Sequence, residues 1–242
     1  MTDALQPPRA LVLAHEFDGG ACLIARRLEA HGYEVHTHLV CPDYHQPNLA
    51  NPYPDAADYD VLLAMGSIRS LTAKQEISSW IYDELEMVRA AHARQQPVLG
   101  VCFGGQLIAD ALGGSVERAP EHEIGWFTIE GDANPAGPGP WMQWHHDRIN
   151  PPPGADVLAT SDKALQLFRV GSCVGTQFHP EVDPDHIITW IDGATHEYLA
   201  DYGIDSATII AETIERAAAN QLQCDALVDW WLEITDAPRR AL

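Results

Sequence analysis

The chain has 242 residues, 46% of them hydrophobic, and carries a formal net charge of −21. This length and composition suffice for one large domain, or one domain with an appendage, around a substantial core. The charge excludes nucleic acid as a partner, because a polyanion of this size repels phosphate backbones, and it disfavours anionic membranes.

Residues 10–14 form a short apolar run that predicts a first buried strand. Residues 21–31 carry Leu23, Ile24 and Leu28 at helical spacing, and Tyr33, Val35, Thr37 and Leu39 alternate as a strand. Residues 42–58 are rich in Pro, Asn and Asp and read as a loop. Residues 61–65 predict another buried strand. Ile77, Ile81, Leu85 and Val88 make a helical stripe that ends before Pro97. A strand over 98–102 and a helix over 105–112 follow. Beyond Leu112 the pattern changes to successive strands: one around Val116, then 125–129, 157–160, 165–170 and 173–178. Residues 131–140, rich in Pro and Gly, predict an exposed loop. Residues 207–219 and 222–234 carry apolar stripes and predict two helices, with Trp230 and Trp231 packing them back on the core. The whole predicts an α/β fold, an open and mostly parallel sheet flanked by helices with an added antiparallel portion. A main domain would span 1–204 and a C-terminal helical extension 205–242.

No apolar run is long enough to span a bilayer. The first residues, MTDALQPPR, lack the pattern of a secretory leader. The five cysteines are odd in number, scattered and without a CxxC pair, which predicts reduced thiols and a cytoplasmic setting. Cys22, Cys41, Cys173 and Cys224 read as small buried hydrophobes.

Cys102 differs from these. In the run PVLGVCFGGQ (97–106), an apolar strand meets a cysteine flanked by Gly100 and Gly104, and a helix starts at once. That is the pattern of a nucleophile elbow, with glycines relieving a crowded turn. Downstream, the run QFHPE (177–181) supplies His179, able to take the thiol proton and return it to a leaving amine. It also supplies Glu181, able to hold the imidazole in one tautomer. The helix start adds a favourable dipole at Cys102. His145, His146, His36, His38 and His45 do not read as a metal site, because successive residues on a strand face opposite ways.

Taken together, these motifs resemble class I glutamine amidotransferases of the triad type, nearest to those like the amidotransferase half of GMP synthase. The resemblance is collinear over about residues 8–190 and rests on Met65-Gly66-Ser67-Ile68, the Cys102 motif, the runs 111–116 and 123–126, Gln143-Trp144-His145-His146-Asp147, and His179-Pro180-Glu181. It implies a flavodoxin-like core and a Cys102–His179–Glu181 triad. Backbone N–H groups at Gly66, Ser67 and Phe103 would form the oxyanion hole. Gly104, Gly105, Gln106, Trp144 and His145 would lie at the substrate. It implies no cofactor and no metal. Two departures bear on the substrate. The loop usually carries a second Gly and a Pro where Met65, Gly66 and Ser67 stand, and a bulkier His or Met usually stands at Gly105. The missing bulk at Gly105 predicts a widened pocket beside the nucleophile.

Two reactions fit. One is hydrolysis of glutamine, with ammonia handed to a separate synthetase or to another acceptor protein, since no P-loop lies on the chain. The other is a self-contained hydrolase of substituted γ-glutamyl amides. A regulatory protein without catalysis would be expected to lack a triad member, and a protease or deglycase of related fold would place its His differently.

Overall fold

The computed structural model describes residues 6–239 apart from 133 and 192. The elements run β1 (Arg9–Ala14), α1 (Cys22–Ala30), β2 (Glu34–Leu39), β3 (Val61–Ala64), α2 (Ile81–Ala93), β4 (Val98–Val101) and α3 (Phe103–Ala111). Then follow β5 (Ser115–Phe127), β6 (Trp141–Asn150), β7 (Asp156–Thr160), β8 (Leu165–Val170), β9 (Cys173–Thr176), α4 (Pro184–Trp190), α5 (Gly193–Asp201) and α6 (Ser206–Ile234).

A seven-stranded sheet has the order β2-β1-β3-β4-β9-β8-β7. Its first five strands are parallel, and β9, β8 and β7 continue it antiparallel. The strands β3, β4 and β9 are buried along their whole length, as a sheet covered on both faces requires. Alternate residues divide between the two faces. Val12, Val61 and Leu63 pack towards α1 and α6 with Leu28 and Trp231. Leu11, Leu13 and Leu62 pack towards α2 and α3 with Leu85 and Leu107. The edge strand β2 carries the more polar run EVHTHL, in keeping with its place at the rim.

Several elements differ from those predicted. Residue 116 and residues 125–127 of the predicted strand 125–129 belong to one long strand, β5, which pairs antiparallel with β6 as a separate ribbon and shifts register between Arg118 and Glu123. The irregularity hides the strand from a period-two reading. Ile77 is buried but precedes α2 in a turn. The tail is one helix of 29 residues instead of two. No Gly or Pro interrupts residues 206–234, so nothing breaks it. The helix is capped by Asp205, whose side chain accepts from Ala207 N. α4 and α5 had no counterpart in the sequence reading, although Asp183 and Pro184 are an N-cap and a first-turn proline. Among the described residues no helix is long and apolar enough to cross a membrane.

Candidate active site

Cys102 sits between β4 and α3 with φ 51° and ψ −103°, a conformation that L-residues rarely adopt. The turn is held by its own N–H, which donates to Thr176 O at 2.8 Å, and by Gly104 N donating to Met65 O at 3.1 Å. A Cβ on Gly100 would lie 2.3 Å from Gly104 O, and one on Gly104 would lie 1.8 Å from Ala64 O. These glycines let helix and strands close around Cys102, as the elbow pattern requires.

His179 follows from β9, whose exit is fixed by Gln177 N donating to Gln166 O and by His179 N donating to Met142 O. Its Nδ1 lies 2.8 Å from Glu181 Oε1, and both side chains are buried. Nε2 has no hydrogen bond among the described residues and is the nitrogen left for the thiol. Burial alone would lower the His179 pKa. The neighbouring Glu181 and Cys102 outweigh it and push the value up to about 10. Glu181 is framed from two sides. Its carbonyl accepts from Leu23 N of α1, and Asn220 of α6 donates to the carbonyls of Pro180 and Val182.

Gly66 closes the third side. A Cβ there would stand 3.1 Å from His179 Cε1 and 4.0 Å from Cys102 Cβ. Among the described residues the N–H groups of Gly66, Ser67 and Phe103 make no hydrogen bond, which leaves them as donors. The Trp144 carbonyl lies 3.8 Å from Cys102 Sγ. Trp190 of α4 meets the His179 ring edge-on at 4.9 Å and the Trp144 ring at 5.7 Å.

Four of the predicted substrate positions are packed inside the protein. Gly105 faces away from the thiol. Its missing Cβ points at the backbone of β9, 2.5 Å from Thr176 O, so its absence opens no room beside Cys102. Gly104 likewise serves packing against β3. His145 is buried, with Nδ1 2.9 Å from Asp147 O and Nε2 facing the Glu123 carboxylate at 3.2 Å, so the ring lies inside the protein. Gln106 is buried too, and donates to Gln177 Oε1 at 3.3 Å.

A match to the family model of class I glutamine amidotransferases covers residues 20–187. The chain belongs to that family. GMP synthase of Aeropyrum pernix is 33% identical over 195 residues, covering 75% of this chain and 34% of that protein. A protein of Sulfolobus acidocaldarius named as one subunit of a glutamine-hydrolyzing GMP synthase is 38% identical over 96 residues, covering 36% of this chain and 51% of that one. The chain thus spans about half or less of the length of these relatives. A glutamine amidotransferase structure from Thermotoga maritima superposes with a TM-score of 0.80 at 22% identity, covering 93% of this chain and 98% of the other. One from Methylobacillus flagellatus gives 0.73 at 22% identity, covering 98% and 97%. At that identity the likeness speaks to the fold.

Several residues of this amidotransferase site carry no assigned role in the sequence analysis above. Gln177 donates to Cys102 Sγ at 3.6 Å. Its signal was available, since it lies two residues before His179 at the end of an apolar strand. His15 and Glu16 lie beneath Gly66 and Ser67, and a charged pair straight after the buried run 10–14 was their trace. Trp190 and Asn220 arrive through tertiary packing of α4 and α6, and no local pattern marks them.

Proposed function

We propose that Cys102, His179 and Glu181 form a triad that hydrolyses the γ-carboxamide of glutamine. The observation that carries this reading is the ring of His179, pinned through Nδ1 by Glu181 with Nε2 left towards a cysteine on a strained strand-to-helix turn. His179 takes the thiol proton, and the thiolate attacks the amide carbon to form the C–S bond. The carbonyl electrons move to oxygen, where the free N–H groups of Gly66, Ser67 and Phe103 stabilise the charge. Collapse breaks the C–N bond, and His179 gives its proton to the departing ammonia. Water then cleaves the glutamyl thioester, with His179 as base, releasing glutamate and the thiol. In this reading Glu181 stays ionised and keeps the imidazolium in place.

A second reading keeps the chemistry and changes the leaving group to a substituted amine. It is favoured by Trp190 and Trp144, half-buried indoles beside the base that must protonate that amine. A separate synthetase taking the ammonia is supported by the naming of the Sulfolobus relative as one part of a larger enzyme.

Glutamate release from glutamine and from γ-glutamyl anilide, measured without any partner, separates the readings. Activity on glutamine that is lost in a folded Cys102→Ala variant is the expected result. Near-normal turnover by that variant would refute the triad. Turnover of the anilide alone would move the assignment to the substituted amides.

A further inference from the structure

The loop that carries two of the three oxyanion donors is held from below by two consecutive residues at the carboxyl end of β1. His15 is fully buried, edge-on to Phe103 at 4.8 Å and near Trp80 at 5.4 Å. Its Nδ1 lies 3.0 Å from Gly66 O and its Nε2 3.1 Å from Glu84 Oε2. Tyr53 donates to the other Glu84 oxygen at 2.6 Å. Glu16, also buried, accepts from Ser67 Oγ at 2.9 Å and from Ile68 N at 3.4 Å. Three successive loop residues therefore bind one dipeptide.

The peptide bond turns this into a statement about catalysis. A carbonyl can only accept, so Nδ1 must carry a hydrogen and donate it to Gly66 O. A trans peptide is planar, with C=O and N–H on opposite sides. Fixing the Gly66 carbonyl towards His15 therefore aims the Ser67 N–H the other way, towards the side where Gly66 meets Cys102 and His179. The Nε2 contact with Glu84 keeps the ring from turning. The carboxylates of Glu84 and Glu16 outweigh the effect of burial and raise the His15 pKa, which favours a ring carrying both hydrogens.

We infer that His15 and Glu16 are positioning residues for the oxyanion hole, with His15 setting the direction of the Ser67 N–H and Glu16 the height of the loop. Neither touches the substrate. The inference rests on the hydrolase reading above, and a merely structural role for the pair is the alternative.

Two probes tell these apart. The γ-aldehyde of glutamate, bound by Cys102 as a tetrahedral adduct, needs the oxyanion donors. Alkylation of Cys102 by iodoacetamide needs only a reactive, accessible thiol. In His15→Phe, which keeps the ring packing, and in Glu16→Ala, kcat on glutamine and affinity for the aldehyde should both fall on the order of 10²-fold. That is the scale of one lost oxyanion donor, with KM changed by less than about threefold. The alkylation rate should stay within about twofold of wild type on the same reasoning. His15→Asn, whose amide can take the place of Nδ1, should recover about tenfold of the His15→Phe loss, whereas His15→Gln, which mimics Nε2, should not. If His15→Phe does not fold, the Asn and Gln variants decide the matter by themselves. Wild-type kcat in His15→Phe, equal recovery by Asn and Gln, or parallel loss of aldehyde binding and alkylation would overturn the inference. A wild-type protein that neither hydrolyses an amide nor binds the aldehyde would instead bring down the hydrolase reading, and the positioning role with it.

Discussion

Gly105 joins the two halves of the site in a way that a single methyl group can test. A Cβ at this position would stand 2.5 Å from Thr176 O and 3.3 Å from the carbonyl carbon and nitrogen of the same residue. Carbon atoms of this kind do not approach closer than 3.0 Å, so α3 and β9 must separate by about 0.5 Å at least in Gly105→Ala. The obstacle is backbone within a sheet, so no side chain can swing aside. α3 begins directly after Cys102, and β9 runs into His179, so the same displacement falls on the distance between thiol and base. Overpacking of this sort costs about 1–3 kcal/mol of stability, or roughly 2–12 °C in Tm for a chain of this size. Misplacing reacting groups by a sizeable fraction of an ångström should lower kcat on the order of 10- to 100-fold. The loss should be equal for glutamine and for γ-glutamyl anilide, because the position does not touch the leaving group. The assay is kcat/KM on both amides together with thermal unfolding. A Gly105→Ala variant of unchanged Tm whose two specificity constants move apart would refute this reasoning and restore the widened pocket predicted from sequence.

Glu181→Gln should remove the larger of the two charges that hold the His179 pKa up to about 10, and so lower it; an NMR titration of the ring checks it. A raised His pKa gives stability that is full below pH 6.5 and is lost as pH rises through about 10, so wild type should lose stability over that window relative to the variant in denaturant titrations. Hydrolysis should suffer less in Glu181→Gln than in His179→Ala, measured as kcat, because the proton carrier remains. Trp231 is fully buried between α6 and the sheet, so Trp231→Ala should cost about 3–5 kcal/mol in urea unfolding. Trp231→Phe should cost less than half as much, because the indole Nε1 finds no acceptor among the described residues and its loss leaves nothing unpaired.

The central sheet was legible because its strands are short apolar runs closed by turn residues, and Cys102 because two glycines bracket it at the end of one such run. The contact between His179 and Glu181 was legible because they lie two residues apart in one motif, with the cysteine motif upstream. What escaped depends on distance in sequence. The direction in which Gly105 faces is fixed by the docking of α3 on Thr176, 71 positions away, and nothing in the run 102–106 encodes it. His145 could be singled out from its motif, but only the fold brings Glu123 across the β5–β6 ribbon to engage it. The strand β6 was hidden by an unbroken polar and aromatic run, QWHHDR, whose burial comes from tertiary packing on one side and whose partner shifts register on the other.

The long terminal helix bears on how this protein could be borrowed as a tool. α6 ties itself to α1 through Arg27 and Asp229 at 2.8 Å, to β5 through Thr213 and Trp126 at 3.1 Å, and to the segment around Glu181 through Asn220. An engineer trimming the sequence to its recognisable motif region would keep Cys102, His179 and Glu181 intact. The carbonyls of Pro180 and Val182 would lose their donor, and the apolar flank of the sheet would face water. Fusion partners and affinity tags are better joined beyond the helix, and any transplant of the catalytic segment into another scaffold has to carry a substitute for Asn220.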